Sequence, residues 1–176
     1  MSIRPILLLG NPALRTGAVR VRAFGTPELR SLVADLRDTL AGFRSDRAFG
    51  RGISAPQIGA ARRVVYVEAE ETLTLVNPVI TRRSRTMMTL WDDCFCFPDL
   101  AVKVKRHVSI EVDYRDQEGK KHLLRARGGM AELLQHEIDH LDGVLALDRA
   151  VDSRHIVYKS EIGAFSGKAP GRRKEM

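Results

Sequence analysis

His136-Glu137-Ile138-Asp139-His140 is the part of the chain whose residue types and spacing most directly specify chemistry. Two histidines four residues apart sit about one helical turn apart on one face, so both imidazoles can reach a single ion. The glutamate beside them can serve a water on that ion as general base. At about 100° per residue, with Met130 at 0°, His136 and His140 fall near 240° and 280°, flanking an apolar arc that includes Leu134, Ile138 and Leu141. A metal held there is expected at the edge of a core. Catalytic zinc and iron sites usually take a third protein ligand. Two sources compete for that place: Cys94 or Cys96 upstream, and Glu161, which lies 21 residues after His140. The extended motif with a third histidine is excluded, because Ala146 stands at its position.

The flanking sequence supplies the elements that must hold this motif. The spacing predicts a helix over 27–43, with Thr26 as N-cap, Pro27 in the first turn and a stripe of Leu29, Leu32, Val33, Leu36, Leu40 and Phe43. Strand-like segments follow at 64–67, 73–76 and 87–91. A longer run alternates through Val102, Val104, Val108, Ile110, Val112 and Tyr114, and the 116–119 turn sends the chain back through 120–126 as a hairpin. The motif helix is expected over 130–142, behind Gly128 and Gly129 and before Gly143. The class is therefore α+β, with mostly antiparallel sheets packed around a central metal-binding helix and an amino-terminal helix. Residues 1–165 read as one catalytic domain, and 166–176 as a basic tail expected to be disordered.

Composition narrows the function. A chain of 176 residues with 44% hydrophobic and 29% charged residues can build one ordinary core without disulfide staples. Its two cysteines stand too close in sequence for a useful bridge, so reduced thiols available to a metal are expected. Ile6-Leu7-Leu8-Leu9 is too short for a signal peptide, and no run can cross a bilayer, so a cytoplasmic protein without membrane contact is expected. The net charge of +7 suits a solvated basic surface and a transient polyanionic neighbour such as the ribosome, with no sequence-specific nucleic-acid site.

Three blocks together resemble the peptide deformylase family. They are Gly50-Arg51-Gly52-Ile53-Ser54-Ala55-Pro56-Gln57, then Asp92-Asp93-Cys94-Phe95-Cys96, then Gln135-His136-Glu137-Ile138-Asp139-His140. The resemblance extends from about residue 3 to 150 through Asn11-Pro12, Asn77-Pro78 and Leu141-Asp142-Gly143. It implies Cys94, His136 and His140 as metal ligands and Glu137 as general acid and base. It also implies the Gln57 amide and the Phe95 backbone N–H as oxyanion donors. Gly50, Gly52, Ile53 and Asp93 become substrate-binding residues. The implied working ion is Fe²⁺, with Zn²⁺ common in purified samples. The implied reaction removes the N-formyl group from the initiator methionine of nascent polypeptides, whose side chain the family places in an apolar pocket.

The middle block keeps only its cysteine from the family pattern E-G-C-L-S. Asp93 in place of glycine is expected to put a negative charge at the pocket mouth, disfavouring acidic substrates. Cys96 adds a second thiol that leaves the choice of sulfur ligand open. Two other readings stand beside the first: a divergent, non-catalytic member that binds formyl-peptide or ribosomal partners, and a zinc peptidase that uses Glu161 as third ligand.

Overall fold

The structure is a computed structural model that describes residues 2–47 and 49–163, so the expected tail at 166–176 lies outside the described residues. Helix α1 (Pro27–Arg47) begins where expected, with Thr26 Oγ1 accepting from the Leu29 N–H at 3.3 Å. It runs one turn further than its apolar stripe, and Arg44 and Arg47 there complement the carbonyl end of the helix dipole. The strands are β1 (Gly52–Ser54), β2 (Val64–Glu68), β3 (Thr72–Arg83), β4 (Met87–Asp93), β5 (Leu100–His107), β6 (Ser109–Arg115) and β7 (Lys121–Arg127). Helix α2 (Gly129–Leu141) follows, and β8 (Ile156–Tyr158) closes the described order of strands. Among the described residues, no helix is long and apolar enough to cross a membrane.

Two antiparallel sheets result, one ordered β1-β2-β3-β6-β7 and the other β4-β5-β8. The long alternating run thus divides between sheets, where the sequence reads as continuous. Gln135 from α2 causes the break: its amide accepts from the His107 N–H and donates to the His107 carbonyl, both at 3.0 Å, and so occupies the end of β5. Beyond it, Val108 bonds Thr86 and Gly128, and the chain enters the other sheet as β6.

That division places α2 between the sheets. Its apolar side, through Ala131, Leu134, Ile138 and Leu141, packs on Val65, Val67, Leu75, Ile110 and Val112 of the larger sheet. Its polar side faces β4, β5 and the turn after β4. Every residue from Ala131 to Leu141 is buried, so the histidines sit in the interior rather than at a core edge. The helical wheel shows one apolar arc correctly and cannot show that a second sheet covers the other arc. Helix α1 seals the larger sheet on its far end, packing Leu36 and Leu40 with Ile53, Val64 and Val76.

Asn77 breaks the register of β3 against β6 and has a φ of 54°, which L-residues rarely adopt. Its side-chain amide accepts from the Val21 N–H and donates to the Val21 carbonyl, each at 2.8 Å, tying the amino-terminal segment to the sheet. Asn77→Ala removes both bonds and strains the backbone. It should lower unfolding free energy by at least about 2 kcal/mol in urea titrations, and a loss under about 0.5 kcal/mol would refute the tie.

Candidate metal centre

Helix α2 presents His136 and His140 on one face, and the turn after β4 delivers Cys94. Cys94 Sγ lies 3.2 Å from His140 Nε2, which lies 3.2 Å from His136 Nε2, and all three potential ligand atoms fall within 4.8 Å of one another. Asp92, at the end of β4, approaches His136 Nδ1 to 2.9 Å. That contact keeps a proton on Nδ1 and turns the Nε2 lone pair toward the cluster. Arg106 of β5 donates to Asp92 at 3.0 Å and also pairs with Asp139, which Arg149 engages at 2.8 Å. The buried carboxylates are thereby compensated, as buried charges must be.

Burial pushes the Cys94 thiol well above its ordinary value, and the neighbouring Cys96 and Glu137 reinforce the rise. Burial and the charge on His136 hold His140 well below the usual imidazole range. Burial also opposes charge on His136, but the Asp92 carboxylate overrides it and raises the group to about 9. A soft sulfur and two imidazole nitrogens, buried and converging within 4.8 Å of one another, fit a divalent cation of the Fe²⁺ to Zn²⁺ series. His140 Nδ1 is buried without a hydrogen-bond partner among the described residues, so packing and the Nε2 contacts to Cys94 and His136 set that ring.

Glu137 is pushed up to about 7 by burial, against the lowering effects of His136 and the Ser54 hydroxyl. Ser54 Oγ contacts Glu137 Oε2 at 2.9 Å and Gln57 Oε1 at 3.0 Å. The Ser54 N–H donates to the same Gln57 oxygen at 2.8 Å, which settles the amide's orientation and aims Nε2 at Cys94 Sγ, 3.6 Å away. The Phe95 N–H donates to no group among the described residues and remains open beside the cluster. Glu137, Gln57, Cys94 and Phe95 border a cleft of about 400 Å³. Gly50 lines it with a φ of 115°, and a Cβ there would clash with the Phe95 ring. A Cβ on Gly52 would lie 3.1 Å from Glu137 Oε1, so both glycines hold the loop against the site.

One open choice narrows and three expectations need correction. Cys96 is buried beside the cluster but outside the ligand set, and its N–H donates to Cys94 Sγ at 3.4 Å, an arrangement that supports a thiolate. Glu161 is exposed in the last described turn and joins no potential ligand cluster among the described residues. Ile53 is fully buried in the core with α1, so its side chain does not line the cleft. Asp93 does line the cleft, yet Lys159 pairs with it at 2.6 Å while lying 3.6 Å from the Phe49 ring centroid. Its charge is neutralised at the mouth, and the expected penalty on acidic substrates loses its cause. Sequence reasoning missed Arg106 and the orienting role of Asp92, because their meeting depends on the pairing of β4 with β5.

A buried thiol and two imidazoles beside a glutamate, set on this α+β frame, define a metal-dependent hydrolase. The family model described as polypeptide deformylase matches residues 3–155. A peptide deformylase from Thermomicrobium roseum is 37% identical over 168 residues, covering 90% of this chain and 92% of that protein. One from Parafrankia is 39% identical over 151 residues, covering 85% and 79%. The crystal structure of the Thermotoga maritima peptide deformylase superposes with a TM-score of 0.80 at 27% identity, covering 86% of this chain and all of that one. The Synechococcus elongatus peptide deformylase in complex with actinonin gives a TM-score of 0.79 at 32% identity, covering 86% and 81%. The chain belongs to the peptide deformylase family.

Two outcomes follow from this geometry. Cys94→Ala should lose stoichiometric metal and Cys96→Ala should keep it, as read by elemental analysis of the purified proteins; equal retention in both would remove Cys94 from the ligand set. Asp92 is held down to about 2, because His136 and Arg106 outweigh its burial. Its depressed value means that its pairing stabilises the fold fully above about pH 5 and fades as pH falls toward 2. In urea titrations of metal-free protein, the stability difference between wild type and Asp92→Asn should grow as pH falls from about 9 toward 6, because Asp92 raises His136 to about 9, and then shrink by about 1 kcal/mol between pH 5 and 3 as Asp92 takes up its proton. A difference that is flat to pH 3 would contradict the ion pair.

Proposed function

We propose that this protein hydrolyses the N-formyl group from formyl-methionyl ends of nascent polypeptides, releasing formate and a free amino terminus. The observation that carries this reading is the convergence of Cys94, His136 and His140 beside Glu137 and Gln57, in a chain of the deformylase family. Cys94, His136 and His140 would hold one divalent ion, Fe²⁺ as the working metal with Zn²⁺ able to take its place. When bound, the ion supplies Lewis acidity that activates water and polarises the formyl carbonyl.

The chain's own residues do the rest. Gln57 Nε2 and the Phe95 N–H donate to the carbonyl oxygen as negative charge builds on it. Glu137 takes a proton from the attacking water and returns it to the departing nitrogen, so a C–O bond forms as the C–N bond breaks. Ser54 holds the carboxylate toward the site through its 2.9 Å contact. Gly50 and Gly52 admit the substrate backbone to the cleft wall, and Asp93 with its Lys159 partner borders the entrance. The enzyme acts in the cytoplasm, with its net +7 charge favouring transient contact with the ribosome. The peptidase reading lacks its third ligand, and a purely binding role gives no purpose to a buried glutamate beside the ligand cluster.

Glu137→Gln keeps the shape and removes the proton acceptor. Formate release from formyl-Met-Ala-Ser should fall by about 10²- to 10⁴-fold at full metal occupancy. Wild-type turnover in that variant would contradict the role of Glu137.

A further inference from the structure

The cleft continues beyond the ligand cluster along the same face of α2. Glu132 stands one turn before His136, and Leu133 one turn before Glu137, so each lies about 5–6 Å along the helix from the reacting groups. A formyl carbon set beside Glu137 and Gln57 is joined to the first side chain through the amide nitrogen and Cα alone. Glu132, Leu133 and Arg51 line the same cleft at that reach and form a wall against which that side chain can lie.

This wall is charged. Glu132 is only 8% exposed, and its Oε2 accepts from Arg51 Nη2 at 2.7 Å, while Arg51 Nη1 donates to the Gly129 carbonyl at 3.2 Å. Among the described residues, no donor meets Glu132 Oε1, and the atom is not sealed from the cleft. A hydrocarbon side chain laid on it would strip water from a carboxylate oxygen and give nothing back. An unbranched side chain ending in a carboxamide would donate to Oε1 and accept from the guanidinium. Leu133 and the stem of Arg51 would cover its methylenes.

We propose that Arg51 and Glu132 make the first side-chain pocket select for a hydrogen-bonding group, so that N-formyl peptides beginning with glutamine are substrates at least as good as their hydrocarbon counterparts. This rests on the deformylase reading above and extends its substrate class beyond methionine. The test measures kcat/KM for formyl-Gln-Ala-Ser, formyl-norleucine-Ala-Ser and formyl-Met-Ala-Ser with metal-loaded wild type and an Arg51→Met/Glu132→Met double variant.

The wild-type ratio of the glutamine to the norleucine peptide should be at least about one, and the double variant should lower it by about 10-fold or more, the scale of a hydrogen bond to a charged group. A wild-type ratio below one, or a ratio the double variant leaves unchanged, overturns the proposal. If the double variant does not fold, the wild-type ratio decides alone. Formate released from the norleucine and methionine peptides but not from the glutamine peptide refutes the pocket and keeps the deformylase reading. No formate from any of the three refutes both.

Discussion

The Asp92 carboxylate is the contact on which the rest of the site depends. It ends β4, receives Arg106 from the adjacent strand β5 and holds His136 of α2, so one side chain joins the smaller sheet to the central helix. Arg106 extends the same clamp to Asp139, one turn along the helix from His136. With both anchors set, α2 cannot rotate about its axis without breaking a buried ion pair, which costs several kcal/mol. The orientation of the two imidazoles follows from that restriction, and so does the place of Cys94, two residues after Asp92.

This arrangement explains why a helix in the middle of a small protein can carry so many polar residues. Gln135, His136, Glu137, Asp139 and His140 are all buried, each against a specific partner: the end of β5, Asp92, Ser54, Arg106 and Cys94 respectively. Hydrophobic burial on the opposite side of α2, through Leu134, Ile138 and Leu141, supplies the driving force that offsets the desolvation of this polar face. The same design sets electrostatics. Carboxylates in the second layer make the interior favourable for cations, while burial keeps the Cys94 thiol and the His140 imidazole from charging in the absence of one.

Much of this was legible in the sequence, for physical reasons that differ by element. The amino-terminal helix, the hairpin and the motif helix follow from local periodicity and caps, and all three form. The ligand histidines are readable because i and i+4 share a helix face. The division of the 102–114 run into two sheets was not legible, because alternation reports which face a residue occupies and not which neighbour its strand takes. Cys94 and Cys96 could not be separated by spacing, since residues two apart share a face in an extended segment. A tight turn after β4 separates them. Ile53 reads as part of a substrate loop from its motif, yet β1 turns its side chain toward α1. The pairing of Asp93 with Lys159 joins the middle block to the stretch after β8, a contact across sequence that no local pattern encodes.

X-ray absorption on the metal-loaded protein tests the central claim most directly. The account requires one sulfur and two nitrogen donors from the protein, at about 2.3 Å and 2.0–2.1 Å if the ion is zinc, with Asp92 outside the coordination sphere on the far side of His136. Two sulfur donors, showing Cys96 bound beside Cys94, or a shell without sulfur, would contradict it.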